Sequence, residues 1–247
     1  MEITLLLLAA LAPAAILFFY VRRKDKKRPE PLRLLLKAFG YGALSAIAVI
    51  VFWLILEGLG LTVSNPRSFM GALGVSFFGA ALPEELLKFF FFWLVVRNCK
   101  FFDERMDGIV YASCVALGFA AIENILYLFD NFEFWIATGV VRAIFSVPGH
   151  FFFGILMGYY YSLVRFENPS AFNKYMVLAA PIVAHTVFNT LLFSSGMFKV
   201  IGLMAFLVIF VCFFKHLRKY ALSRIPELLE KDDRDFMSRQ NDECENK

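Results

Sequence analysis

The sequence predicts an all-α, polytopic transmembrane bundle of about seven or eight membrane helices. Hydrophobic residues make up 60% of the chain and aromatic residues 17%, whereas a soluble domain is about 45–50% apolar. Several uncharged runs reach the roughly 20 residues that a bilayer crossing needs. These runs are continuous and do not alternate in ten-residue segments, which excludes an outer-membrane β-barrel.

The first two predicted spans, 3–21 and 34–56, flank the basic cluster RRKDKKR at 22–28. A cleaved signal peptide carries its positive charge before its apolar core. The order here is the reverse, so it predicts an uncleaved anchor with the N-terminus outside.

The third predicted span covers 68–96. At 1.5 Å per residue it is about 43 Å long, which is too long for a straight, untilted helix. Pro83 is expected to kink this helix because it cannot donate a hydrogen bond to the carbonyl of Gly79. The charged sequence RNCKFFDERMD at 97–107 follows as a loop.

Four further apolar stretches follow, at 108–129, 134–165, 175–194 and 198–216. The second of them exceeds one plain crossing and contains Pro148 near its centre. It is therefore either one tilted or broken helix or a crossing that includes a re-entrant helix.

The distribution of basic residues sets the expected orientation. Seven crossings place 21 of the 25 lysines and arginines on one side of the membrane, which the positive-inside rule identifies as the cytoplasmic side. The chain is thus predicted to be a multi-pass cell-membrane protein with an integral membrane domain at 1–216. Residues 217–247 would form a charged cytoplasmic tail.

Nine polar or charged residues lie inside the predicted spans. A charge at membrane depth costs roughly 2.5–3.5 kcal/mol on insertion scales, so such residues are expected to be functional. They are Glu84, Glu85, Lys88, Glu123, Asn124, Arg142, His150, His185 and Asn189.

The spacing of these residues predicts shared helix faces. Glu84 and Glu85 precede Lys88 by four and three residues, and His185 precedes Asn189 by four, so each set can lie on one side of its helix. The lysine and Arg142 are the cations available to pair with the carboxylates, which would give a buried structural ion-pair network. Glutamate together with histidine is also typical of acid–base or metal chemistry.

Several other hydrolase signatures are missing from the sequence. There is no HExxH zinc motif, no GxSxG nucleophile turn and no GxGD aspartate motif. The four cysteines form no CxxC pair, which argues against a disulfide framework or a thiolate zinc site.

Four motifs, in order and on separate spans, resemble those of the PrsW family of intramembrane proteases. PEELLKFF at 83–90 resembles its EExxK motif, and GFAAIEN at 118–124 resembles FxxxEN, with Phe119 as its first residue. The segment 142–158 resembles the family segment that carries an arginine and a histidine, here Arg142 and His150. HTVFN at 185–189 resembles the motif HxxxN/D. The wider superfamily of CAAX prenyl endopeptidases has EExxxR and a second-motif His, so the lysine and the glutamate found here fit the PrsW branch better.

The resemblance implies a CAAX-protease-like fold and endoproteolysis of a membrane-anchored protein, with anti-sigma factors as the substrates associated with the family. Glu84 or Glu85 would deprotonate water, and His185 and Asn189 would stabilise the oxyanion. His150 would orient the water. Glu123 would assist His150. Lys88 and Arg142 would hold the carboxylates in place. Asn124 and Phe119 would be supporting residues.

Three alternatives stay open from the sequence. Zinc could bind the same protease through Glu85, Glu123, His150 and His185; no other cofactor is expected. The chain could also be a non-enzymatic membrane scaffold or a proton-coupled carrier. The expected partners are the lipid bilayer and a membrane-anchored protein substrate, with no nucleic acid.

Overall fold

A computed structural model describes residues 2–26, 28–60, 68–167, 169–194 and 200–245. Every regular element in this part of the chain is a helix, which confirms the predicted all-α class. Two π turns, Phe77–Ala81 and Arg142–Ser146, and a 3₁₀ turn, Phe132–Phe134, lie between helices. The α-helices are α1 Glu2–Lys24, α2 Leu32–Gly58, α3 Phe69–Ser76, α4 Leu82–Val96, α5 Arg105–Asp130, α6 Trp135–Val141, α7 Val147–Phe166, α8 Ala171–Ser194 and α9 Val200–Glu245.

The π turns join four of these helices into two longer ones. Helices α3 and α4 continue into each other over 69–96, and α6 and α7 over 135–166. The described residues therefore form seven long helices, in agreement with the predicted number of spans. Five of them are long and apolar enough to cross a membrane: α1, α2, α5, the stretch Phe132–Phe166 and α8.

Each π turn ends two residues before a proline, Pro83 in the first case and Pro148 in the second. The N–H of Leu82 donates to the carbonyl of Phe77, and the N–H of Val147 donates to that of Arg142, five residues back in both cases. Proline removes a backbone donor and crowds the preceding turn, and the wider turn accommodates it. The stretch predicted at 134–165 is accordingly one continuous helix with a wide turn near its middle.

Helix α5 lies at the centre of the bundle and packs most extensively against α7 and α2. Close approach depends on glycine. A Cβ atom added at Gly158 would lie 2.1 Å from the carbonyl oxygen of Gly108, and one added at Gly42 would lie 1.9 Å from that of Val115. Small residues at such crossings let helix backbones touch, as is common in membrane bundles.

One end of the bundle, here called the basic end, is where α1 ends and α2, α5 and α8 begin. Helix α9 extends past this end as a single helix, so the predicted boundary at 216/217 falls within it. Beyond the boundary α9 still contacts the bundle. Arg105 of α5 pairs with Asp232 at 3.1 Å, and the Tyr159 hydroxyl of α7 donates to Glu227 at 2.7 Å.

Gly158→Ala should destabilise the bundle, because its methyl group would overlap the backbone of α5. Overpacking of this kind typically costs about 1–3 kcal/mol. Thermal unfolding of the purified protein in detergent measures the change. Gly40→Ala is the matched control, since a Cβ atom there meets nothing within 4 Å. Equal melting temperatures for the two variants would contradict the packing described.

Candidate active site

Four helices bring all ten predicted site residues into one contiguous cluster. Helix α4 supplies its residues just after the first π turn, and the second π turn begins at Arg142. Most of the ionisable side chains are less than one-tenth exposed, and Glu123 is partly buried. The cluster consists of Glu84, Glu85 and Lys88 (α4), Phe119, Glu123 and Asn124 (α5), Arg142 (π turn), His150 (α7), and His185 and Asn189 (α8).

The first half of the cluster is centred on Glu85. Its Oε1 accepts hydrogen bonds from Lys88 Nζ at 2.8 Å and from His185 Nδ1 at 2.9 Å. Lys88 precedes a full turn of aromatic residues, and its ammonium lies 4.0 Å from the centre of the Phe119 ring. A fully buried carboxylate thus has a charged and a neutral donor, which offsets the loss of hydration.

The second half is centred on Arg142. Its Nη2 donates to Glu123 Oε2 at 2.7 Å, and its Nε donates to Asn124 Oδ1 at 2.7 Å. The amide of Asn124 donates in turn to the backbone carbonyl of Ala10 at 2.7 Å. The guanidinium also lies over the ring of Tyr127, 3.9 Å from its centre. Arg142 therefore links α5 to the second π turn, and its amide partner links both to α1.

His150 joins the two halves. Its Nδ1 lies 3.0 Å from Lys88 Nζ, and its Nε2 lies 2.8 Å from Glu123 Oε2. An ammonium group can only donate, so these partners assign Nδ1 as acceptor and place the imidazole proton on Nε2, directed at the carboxylate. Glu123 of α5 and His150 of α7 are therefore in direct contact between the two helices.

His185 has the opposite tautomer. Its Nδ1 faces the Glu85 carboxylate and therefore carries the proton, which leaves Nε2 as an acceptor. The Asn189 amide donates to this Nε2 at 3.1 Å, and Glu84 Oε2 lies 3.9 Å from it. A neutral His185 in this state cannot donate to an oxyanion through Nε2, so the donor role expected for it requires the imidazolium form.

Glu84 is the least satisfied of the site carboxylates. Its Oε2 is buried and makes no hydrogen bond, and Lys88 Nζ is 3.5 Å away. Glu85 also has one unpaired oxygen, Oε2, but its other oxygen has two donors. Orphaned buried oxygens are uncommon in folded proteins and indicate a ligand, a water molecule or a proton at that position.

One group of side chains in the cluster has the spacing of a metal centre. Ligand atoms of Glu84, His150 and His185 all lie within 4.8 Å of one another. Two imidazoles and a carboxylate form a typical catalytic zinc set. This set contains both predicted histidines and has Glu84 where the sequence suggested Glu85 and Glu123. Those two glutamates instead contact the histidines. Glu85 does so through Nδ1 of His185, as a carboxylate that orients a metal-binding imidazole does.

A cavity of about 360 Å³ adjoins the cluster. It extends toward the end of the bundle opposite the basic end, because α2, α5 and α8 contribute residues from their C-terminal halves. Glu84, His150 and Asn189 line it, together with Gly79 and Ala80 of the first π turn. Glu85 and His185 are not among its lining residues. Of the two adjacent glutamates, Glu84 is therefore the one that faces the open volume.

Three contributors to the site were not identified from the sequence. Phe153 stacks on His185 with ring centres 4.8 Å apart, and Tyr127 lies under Arg142. Both stand one turn from a site residue, at i+3 from His150 and i+4 from Glu123, so helical spacing could have suggested them. The Ala10 carbonyl on α1 carries no sequence signal, since every residue has one.

Several known proteins are similar to this chain over most of its length. A profile described as "PrsW family intramembrane metalloprotease" matches residues 30–215. The chain is 35% identical over 208 residues to Protease PrsW of Clostridioides difficile (strain 630), covering 83% of this chain and 86% of that protein. It is 36% identical over 197 residues to Protease PrsW of Oceanobacillus iheyensis, covering 79% and 86%. With Protease PrsW of Bacillus subtilis (strain 168) it shares 32% over 203 residues, covering 81% and 88%. No solved structure matches the chain.

Lys88→Met should destabilise the protein, because it leaves the buried carboxylates of Glu84 and Glu85 without their shared cation. Removing one partner of a buried ion pair typically costs about 3–5 kcal/mol. Unfolding of the purified protein in detergent measures the loss. The double variant Lys88→Met/Glu85→Gln should recover part of it, since the uncompensated charge is gone. A double variant no more stable than Lys88→Met alone would argue against this ion pair.

Proposed function

The chain belongs to the PrsW family of intramembrane metalloproteases, and from this membership we propose that it hydrolyses peptide bonds of membrane-anchored proteins at the cluster beside the cavity. The observation that supports this site most directly is the unpaired, buried Oε2 of Glu84, a residue that is grouped with His150 and His185 and lines the cavity. Peptide hydrolysis needs an activated water and stabilisation of the oxyanion that follows. The cluster offers groups for both.

We assign the proton transfer to Glu84. A general base must reach the water in the cavity. Glu84 lines that volume, and its buried Oε2 has no hydrogen-bond donor. Its carboxyl group would take a proton from the attacking water and pass it to the leaving amine. Glu85 would not react itself. It would hold His185 in one tautomer through the 2.9 Å hydrogen bond.

Asn189 is the proposed neutral donor to the oxyanion. Its side-chain amide lines the cavity and has two N–H groups, of which one is needed for His185. Loss of one oxyanion donor typically costs about 2.7–4 kcal/mol of barrier. His150, held by Lys88 and Glu123, would orient the water, and Arg142 would keep Glu123 in place.

Two imidazoles and a carboxylate also suit a zinc ion, as an alternative to the water-activating role of Glu84 above. Glu84, His150 and His185 would hold the ion, and Glu85 would orient the imidazole of His185 through Nδ1. His150 would bind it only after one ring nitrogen is released from its present partner, Lys88 or Glu123. A bound zinc ion would act as a Lewis acid and lower the pKa of a coordinated water.

The cavity suggests how a substrate is presented. Small residues of the first π turn, Gly79 and Ala80, border it and leave space for an extended peptide backbone. The cavity opens toward the end of the bundle opposite the basic end. With the orientation expected from the basic residues, cleavage would occur in the outer half of the membrane. Single-span proteins are the proposed substrates, and anti-sigma factors are the first candidates because the family resemblance implies them.

Glu84→Gln should lower cleavage of a co-expressed single-span substrate by about 10²–10⁴-fold, the usual contribution of a general acid–base. Glutamine keeps the size of the side chain and cannot take the proton. Cleavage fragments are compared by immunoblot with those of the wild type. Glu133→Gln, an exposed carboxylate in the 3₁₀ turn, is the matched control and should cleave normally.

Substrate association separates loss of chemistry from loss of binding in the same experiment. The Glu84→Gln protein should still co-purify with uncleaved substrate. If fragments persist in Glu84→Gln, in Glu85→Ala and in His185→Ala, the cluster is not the catalytic site. A scaffold would be unaffected by all three changes.

Removal of metal should abolish cleavage if Glu84, His150 and His185 hold a catalytic ion. Purified protein treated with a chelator should lose activity and bound zinc together, and should regain both when Zn²⁺ is added. Elemental analysis of His185→Ala should show less zinc than the wild type, whatever its activity. Full activity of a chelated preparation that contains no zinc would support the metal-independent version of the mechanism.

A further inference from the structure

A second cluster of buried carboxylates lies at the basic end of the bundle. Asp25 follows α1, Glu104 precedes α5, and Asp107 is in its first turn; their exposed fractions are 2%, 6% and 0%. One oxygen of each lies within 4.8 Å of the others. Asp107 and Glu123 are 16 residues apart on α5, or about 24 Å by helix rise. The cluster is therefore separate from the active site.

Backbone N–H groups donate hydrogen bonds to some oxygens of these carboxylates, whereas other oxygens have no such donor. Asp107 Oδ2 accepts from the N–H groups of Asp103 and Glu104, at 2.9 and 2.8 Å. Its Oδ1 is fully buried and has no hydrogen-bond partner. Asp25 Oδ2 accepts from the N–H of Glu30 at 3.1 Å. The side chains are thus held in place before any ligand arrives, and Oδ1 of Asp107 is left unpaired inside the bundle.

Positive charge near the cluster is scarce among the described residues. Arg28 pairs with Glu104 at 2.7 Å, but its side chain is 39% exposed. Arg105 is engaged by Asp232 and Asp235. A fourth buried carboxylate, Glu30, adds negative charge and accepts a hydrogen bond from the Tyr111 hydroxyl.

We propose that Asp25, Glu104 and Asp107 bind a hard divalent cation of the Ca²⁺ type. All three ligands are oxygens, which Ca²⁺ and Mg²⁺ prefer and zinc sites seldom use alone. Ca²⁺ lies about 2.3–2.6 Å from its oxygens, so two opposite ligands are separated by up to about 5 Å. Mg²⁺, at about 2.0–2.1 Å, permits only about 4.2 Å. Ca²⁺ can bridge every separation that the 4.8 Å upper bound of this group allows, whereas Mg²⁺ can bridge only the shorter ones.

The bound cation would connect two parts of the chain. Asp25 belongs to the link between α1 and α2, whereas Glu104 and Asp107 form the capping box of α5. The same helix carries Glu123 and Asn124 of the active site. The cation would thus stabilise the start of the central helix against the α1–α2 link.

Calcium binding to the full-length protein in detergent tests the proposal. After treatment with EDTA and removal of the chelator, equilibrium dialysis with ⁴⁵Ca²⁺ at pH 7.5 should show one saturable site per chain. The melting temperature should rise with Ca²⁺ and level off. Asp107→Asn and Asp25→Asn should each weaken binding at least tenfold. The asparagine amide oxygen can still accept the backbone hydrogen bonds, so both variants should fold.

Two controls assign the site. Asp103→Asn alters an exposed carboxylate in the same loop and should bind Ca²⁺ as the wild type does. His185→Ala should also keep Ca²⁺ binding, because it alters only the intramembrane cluster. The proposal is overturned if no saturable binding is found, if Mg²⁺ alone gives the stabilisation, or if Asp107→Asn and Asp25→Asn bind Ca²⁺ normally. The proposal is also overturned if Asp107→Asn raises the melting temperature of the Ca²⁺-free protein, because the carboxyl groups would then share a proton.

Discussion

The sharing of Lys88 among buried acids is the interaction on which the active site depends. Its ammonium lies 2.8 Å from Glu85, 3.5 Å from Glu84 and 3.0 Å from His150. Without it, α4 could not carry two adjacent carboxylates through an apolar bundle, since each unpaired charge in such surroundings costs several kcal/mol. Arg142 serves Glu123 in the same way. The two cations allow three acids to stay at membrane depth, and His150 joins the two groups.

The backbone is adapted to this chemistry at two equivalent places. Glu84 follows a π turn and Pro83, and His150 follows a π turn and Pro148. A π turn widens the helix and shifts the register of the side chains after it. Both catalytic helices therefore change direction where the reactive groups begin, and the first of the two turns also borders the cavity. Since π turns recur at functional sites, the pairing with proline is the local feature that places the site.

The sequence was sufficient to predict the helical spans, their order and the set of residues that meet. Charged residues are so unfavourable in apolar runs that their positions alone mark the cluster. Sequence could not separate Glu84 from Glu85, because adjacent helix positions differ by about 100° and only packing decides which faces the cavity. It also missed the acidic group at the basic end. Asp25 and Asp107 lie in polar segments far apart in the chain, where acidic residues usually signify nothing more than solvated surface.

The two adjacent glutamates differ in the hydrogen bonds that their carboxylates accept, and for this reason we propose different roles for them. Glu85 accepts two hydrogen bonds through Oε1, including one that fixes His185, so its negative charge is stabilised. Glu84 accepts none at Oε2 and borders the cavity. A carboxylate that must take up and release a proton in each turnover cannot be the one most strongly bound to cations. The weaker contact of Lys88 with Glu84 is therefore what keeps that residue available for reaction, while the stronger contact with Glu85 keeps the imidazole beside it correctly oriented.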